Sequence, residues 1–202
     1  MKKLNILFVL LCIGFTTANA QKISFGFKGG LNLAGIYGDN SDGVKMHAGL
    51  HLGVMSEFSL TEKFSIQPEL VYSQQGANQD VNFILLQDIA APAVTLKARY
   101  NYLNLPVIAK YYVTNGLSIE AGPQVGFLLS AKQKGQGEDV DVKDGVKNID
   151  FGLNVGLGYK LTNGLSFSAR YNAGLSNIND VDGISDKNTN GVIQVSIGYF
   201  LR

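Results

Sequence analysis

Val192-Ile193-Gln194-Val195-Ser196-Ile197-Gly198-Tyr199-Phe200-Leu201-Arg202 is the stretch on which the fold turns. Ile193, Val195, Ile197, Tyr199 and Leu201 are large and apolar, whereas Gln194, Ser196, Gly198 and Arg202 are polar or small. A period of two describes a β-strand with one greasy face and one wet face. The sequence ends on this strand. Seven earlier segments alternate in the same way: 22–36, 46–58, 64–75, 99–113, 117–130, 149–161 and 165–176. Eight strands are expected.

The connections between them alternate in length. Three are short (59–63, 114–116 and 162–164), and two of these carry Asn-Gly, at Asn115-Gly116 and Asn163-Gly164. Asn-Gly suits a tight hairpin, whose central positions need φ > 0. The other four are long: 37–45, 76–93, 131–148 and 178–190. An even strand count with short turns on one rim and long loops on the other predicts an all-β chain. The expected architecture is an eight-stranded antiparallel up-and-down transmembrane β-barrel of the outer-membrane kind. Both termini then fall on the short-turn, periplasmic rim.

Charge decides which face is inside. Lys28, His51, Glu57, Glu69, Lys110, Glu120, Lys160 and Arg170 all share the polar parity of their strands. The interior of an eight-stranded barrel is just wide enough for side chains to fill. Charges taken from water need partners, so these eight residues are expected to form a polar network across the lumen. The aliphatic rows then face lipid. Gly26, Gly49, Gly156 and Gly158 have the inward parity and leave room for long neighbours such as Arg170. Tyr and Phe gather near strand ends, among them Tyr111, Tyr159 and Tyr199, as interfacial girdles do. The start of the fourth strand is ambiguous, because Lys97 and Arg99 carry the outward parity.

Residues 1–20 read as a cleaved signal peptide: Lys2 and Lys3, an apolar run through Phe15, then Ala18-Asn19-Ala20. Residues 21–202 are then a single barrel domain, exported to the outer membrane of a Gram-negative bacterium. The apolar run is too short for a spanning helix, which needs about 20 residues. Cys12 lies within that run, so the mature chain has no thiol chemistry. The chain holds 17 basic and 16 acidic residues. Losing Lys2 and Lys3 leaves 15 against 16, near −1, with no basic excess for nucleic acid.

Tyr102-Leu103-Asn104-Leu105-Pro106-Val107-Ile108-Ala109-Lys110-Tyr111-Tyr112 resembles a strand motif of the outer-membrane β-barrel family often labelled porin family or PorT family. Ala121-Gly122-Pro123-Gln124-Val125-Gly126, the run 151–159 and the run 169–175 resemble the strands that follow it. The likeness extends over essentially the whole mature chain. It implies a barrel similar in size to the OmpX type and the OmpA membrane domain. The PorT label ties some members to a protein-secretion apparatus. The shared motifs are structural and carry no catalytic signature.

Candidate chemistry is thin. His47 and His51 lie four apart on one strand, about 13 Å, which is too far to share a metal ion. A hydrolase-like set could be drawn from His51, Glu69 and Ser73, but these point to the lumen rather than to the lipid boundary. Asp180-Val181-Asp182-Gly183 suggests a calcium loop. Placing Gly183 at the sixth position puts Ile178 first and Thr189 twelfth, where ligands are required. No enzyme activity, cofactor or metal is expected.

The expected role is structural or surface-interacting, through the four long loops. A small-solute porin and an accessory subunit of a secretion machine are the alternatives. The loops hold 11 of the 16 acidic residues, against Lys45, Lys132, Lys134, Lys143, Lys147 and Lys187. The second loop carries Phe83-Ile84-Leu85-Leu86, a run costly to expose. Expected partners are outer-membrane lipid and lipopolysaccharide, the barrel-assembly machinery, and an unknown extracellular or secretion-machine protein. Ile197, Gly198, Tyr199 and Leu201 form the strand expected to be read during assembly. Ile197 is expected to face lipid, and Ser196 to be a minor lumen residue.

Overall fold

The computed structural model describes residues 22–39, 41, 43–81, 84–85, 89–90, 94–135, 139–180 and 186–201. The expected signal peptide lies outside them. Eight long strands follow in chain order: β1 (Lys22–Gly38), β2 (Val44–Ser59), β3 (Phe64–Val81), β4 (Val94–Tyr112), β5 (Leu117–Lys134), β6 (Ile149–Lys160), β7 (Leu165–Gly174) and β8 (Asn188–Phe200). Each is hydrogen-bonded antiparallel to its chain neighbours. Pairing of β1 with β8, from Gly26 opposite Phe200 to Gly38 opposite Asn188, closes the ring. Closure matters in lipid, where an open sheet edge would leave backbone groups unsatisfied.

Local chemistry accounts for the short turns. Gly116 has φ +108° and Gly164 φ +94°, a region that favours glycine, so both Asn-Gly pairs make tight connections. The outward rows are apolar and exposed along the whole ring, with Phe25, Leu31, Leu52, Val155 and Ile197 each about half open or more. A soluble monomer rarely shows so large an apolar surface. Inward positions are buried, mostly polar at mid-height and apolar toward the long-loop rim.

Two strands break their parity. In β2 the register with β3 shifts between Met46 and His51. In β5 the register with β4 passes from Ser130 opposite Asn101 to Leu128 opposite Tyr102, which leaves Leu129 as the extra residue. A bulge of this kind swaps the faces beyond it. Leu128 and Ala131 are therefore both buried inside, while Lys132 and Lys134 are exposed on the outer face.

Three strands run farther than hydropathy alone indicates. β3, β4 and β5 have 18, 19 and 18 residues. Their ladders continue through Gly76 opposite Arg99, Asn78 opposite Lys97 and Lys97 opposite Lys134. Crossing a membrane takes about 9–11 residues of a tilted strand, so this side of the barrel stands above the apolar band. The expected loops shrink accordingly. Ile84–Leu85 pairs with Ile89–Ala90 in a small hairpin. Phe83, Leu86 and several neighbours of that apolar run lie outside the described residues. Val140–Asp141 pairs back onto Lys132 and Gln133, and a short 3-10 turn, Lys143–Gly145, follows.

The lumen as candidate functional site

The lumen is built from inward residues of every strand. Four cations, Lys28, Lys110, Lys160 and Arg170, face four anions, Glu57, Glu69, Glu120 and Asp150. Their charges cancel, which is the condition for leaving water.

At mid-height Arg170 on β7 is the hub. Its Nη1 lies 2.7 Å from Glu69 Oε1 on β3, and its Nε lies 2.6 Å from Glu120 Oε2 on β5. Lys28 on β1 reaches Glu69 Oε2 at 3.0 Å and donates to Gln194 Oε1 on β8 at 3.3 Å. Lys110 on β4 lies 3.3 Å from Glu120 and donates to Gln67 at 3.1 Å. Gln67 in turn donates to Glu69 Oε1 at 2.7 Å. This belt ties β1, β3, β4, β5, β7 and β8 together. β6 contributes the absence of side chains. A Cβ on Gly156 would sit 2.7 Å from Arg170 Cγ, and one on Gly158 would sit 2.8 Å from Ser118 Oγ. The space left among Lys28, Gln67, Lys110, Glu120 and Arg170 is about 20 Å³, room for about one water molecule.

A second cluster is built around His51. Asn32 Nδ2 donates to Ser73 Oγ at 2.9 Å and to Gln74 O at 2.9 Å, which fixes the orientation of its amide. Asn32 Oδ1 is then the acceptor facing His51 Nδ1 at 3.0 Å. The imidazole therefore carries its proton on Nδ1, and Nε2 accepts from the Ser196 hydroxyl at 2.9 Å. Ser196, His51 and Asn32 form a serine–imidazole–amide chain, with all three residues at most 3% exposed.

The two ends of the lumen differ. Toward the short-turn rim, Glu57 pairs with Lys160 at 2.8 Å and accepts from Tyr112 Oη at 2.5 Å. Lys160 Nζ sits 4.0 Å above the Phe200 ring. These groups floor a hollow of about 690 Å³. Toward the long-loop rim, Asp150 accepts from Ser176 Oγ at 2.6 Å and from Asn190 Nδ2 at 2.8 Å. Above them Tyr100, Tyr102, Leu128, Ala131, Val146 and Ile178 pack into an apolar cap. A cup of about 600 Å³ opens over it, lined by Ile36, Val44, Leu96, Tyr100 and Val142. Between the two hollows lie the paired charges of the belt.

All eight residues named from sequence as a lumen network lie inside the ring. Lys28, Glu69, Lys110, Glu120 and Arg170 meet in one belt, and Glu57 and Lys160 form a separate pair below it. His51 joins neither group. Its partners are Asn32 and Ser196, so the imagined set with Ser73 and Glu69 is not assembled. Ser73 is bound to Asn32 and Gln75, and Glu69 to Lys28 and Arg170. His47 lies beside the β2 bulge, half-buried against Asn78. Among the described residues no group of three or more His, Cys, Asp or Glu is placed to hold a metal ion. Asp182 and Gly183 of the imagined calcium loop lie outside those residues. The network named from sequence leaves out the inward amides Asn32, Gln67 and Gln194, and Asn190 falls in the last of the expected loops. Their signal was an uncharged amide at an inward position, where a hydrogen-bond partner is obligatory.

Residues 19–180 match the family model described as outer membrane protein beta-barrel domain. No curated protein matches the chain. Among solved structures, Neisserial surface protein A superposes with a TM-score of 0.57 at 11% identity, covering 88% of this chain and 98% of that one. The attachment invasion locus protein Ail of Yersinia pestis gives 0.49 at 13% identity, covering 88% and 98%. The outer membrane protein OprG of Pseudomonas aeruginosa gives 0.36 at 17% identity, covering 89% and 96%.

Proposed function

The chain belongs to the outer membrane protein beta-barrel domain family, and we propose that it is a closed membrane anchor whose long-loop rim is the working surface. One observation carries this reading: the belt of Lys28, Glu69, Arg170, Glu120 and Lys110 fills the lumen at mid-height. A solute entering either hollow meets paired charges held by side chains from six strands. The short-turn rim then faces the periplasm and the long-loop rim faces outward, where binding on a rigid scaffold usually resides. Assembly machinery reads the edge of β8 around Ile197 and Tyr199. An extracellular or secretion-machine protein meets the long-loop rim.

The Ser196–His51–Asn32 chain is assigned to packing. An acyl carbonyl would have to reach a hydroxyl on a residue 3% exposed, beneath the apolar cap. Labelling of Ser196 by a fluorophosphonate would give the enzymatic reading instead. The anchor reading is tested in planar bilayers. Purified, folded protein is expected to give no stepwise conductance, and reproducible single-channel steps would make the barrel a pore. Pull-down of the tagged barrel from outer membranes identifies the partner of the rim.

A further inference from the structure

The bulge in β5 has a chemical result on the outside of the barrel. Going up the outward row of β4, Tyr111, Val107, Leu105 and Leu103 give way, past Asn101, to Arg99 and Lys97. On β5 the row Ile119, Phe127 and Leu129 gives way to Lys132 and Lys134 at the same height. The register sets Arg99 directly opposite Lys132, and Lys97 directly opposite Lys134. Four cations thus occupy a grid of about 7 Å along the strands and about 5 Å across them. Like charges facing each other across a ladder destabilise it.

The nearby carboxylates leave this charge mostly unanswered. Asp139 lies 3.7 Å from Lys134, with both side chains about half exposed, so that pair contributes little. Asp141 stands opposite Lys132 on the far side of the ladder, but its Oδ1 accepts the Lys143 backbone N–H at 2.9 Å. Lys143 adds a fifth cation at the same edge, with its Nζ 3.2 Å from Leu129 O. Among the described residues, these five cations outnumber the neighbouring carboxylates Asp139, Asp141 and Asp144 at the edge immediately above the apolar band. That is the height at which headgroup phosphates lie beside a membrane barrel.

We propose that Lys97, Arg99, Lys132 and Lys134 form a binding site for the phosphate groups of a phosphorylated lipid in the outer leaflet. Arginine offers a planar fork to phosphate and the lysines act as point charges. An anion between the strands also relieves the two opposed like-charge pairs. The site rests on the membrane orientation proposed above and supplies the lipid partner of the long-loop rim.

The experiment uses the full barrel in phosphatidylcholine nanodiscs doped with bisphosphorylated lipid A or with its dephosphorylated form. Retained lipid is read by native mass spectrometry after mild detergent extraction. Wild type and a control at the short-turn rim, Lys63→Gln, are expected to retain the phosphorylated form. The combined Lys97→Gln, Arg99→Gln, Lys132→Gln, Lys134→Gln variant should retain it about tenfold less or weaker still. If that variant fails to fold, the Arg99→Gln, Lys132→Gln pair is read in its place. Equal retention by the variant, or equal retention of dephosphorylated lipid, overturns the site. Competition by inorganic phosphate or soluble dextran sulfate at equal anion concentration overturns the lipid as its source. Heat-modifiable gel mobility, scored in parallel, reports separately on whether the barrel reading holds.

Discussion

Ser196 has a short side chain on the lumen face of β8, and its hydroxyl faces His51 Nε2 at 2.9 Å. Parity alone makes it a minor lumen residue, whereas the geometry gives its hydroxyl a buried hydrogen-bond partner. Removing Oγ strands a buried imidazole nitrogen whose other side is already committed to Asn32. An unsatisfied buried acceptor costs about 1–3 kcal/mol. Ser196→Ala should therefore lower the temperature at which the compact gel band converts to the unfolded one. An unchanged transition temperature would show that water or another group replaces the hydroxyl. The lesson at this scale concerns legibility. Alternation shows which way a residue points, but a hydrogen bond between Ser196 and His51 joins positions 145 apart, and no local pattern encodes it.

The neighbouring position tests an element rather than a contact. Ile197 lies on the outward face of β8 and is 58% exposed, opposite Gly29 on β1 and Phe167 on β7. Ile197→Arg puts a charge into the apolar band, at about 2–4 kcal/mol near mid-membrane. The folded fraction in the outer membrane, read by heat-modifiable mobility, should fall. Equal folded yield would invert the in/out assignment of β8. Strand identity was legible because each membrane segment has one wall of lipid and one of polar side chains, so hydropathy alternates. Strand length was not. Beyond the band the outer face turns polar while the inner face packs into the apolar cap. The pattern therefore inverts, with Lys97 and Arg99 out and Ala98 and Tyr100 in, while the backbone ladder continues. The bulge at Leu129 was equally silent, because inserting one residue into Phe127-Leu128-Leu129-Ser130 leaves an apolar run that fits either parity.

Across the whole molecule, Arg170 joins the two carboxylates of the belt, Glu69 on β3 and Glu120 on β5. Arg170→Met would leave Glu69 with Lys28 and Glu120 with Lys110, each carboxylate short of one partner. Breaking a buried ion pair from one side costs about 3–5 kcal/mol. The variant should unfold at a clearly lower urea concentration. Adding Glu120→Gln should cost less than the sum of the two single losses, because the two changes share one interaction, although it also leaves Lys110 without its carboxylate. Purely additive losses would mean that the belt is a set of independent contacts. The same belt bears on how fast the barrel can form. Lys28 and Gln194 are separated by 166 positions, and Glu69 and Arg170 by 101. Contacts so distant in the chain form slowly, since long segments must be ordered before any of them is rewarded. No single hairpin brings a cation to Glu69: Lys28 reaches it across β2, and Arg170 only from the other half of the ring. Ring closure adds the pairs that cross the lumen, Arg170 with Glu69 and Lys160 with Glu57, which join the cations of one half of the barrel to the carboxylates of the other. Until β8 meets β1, nothing holds those cross-lumen partners at bonding distance, and the charged face has to keep its contact with water.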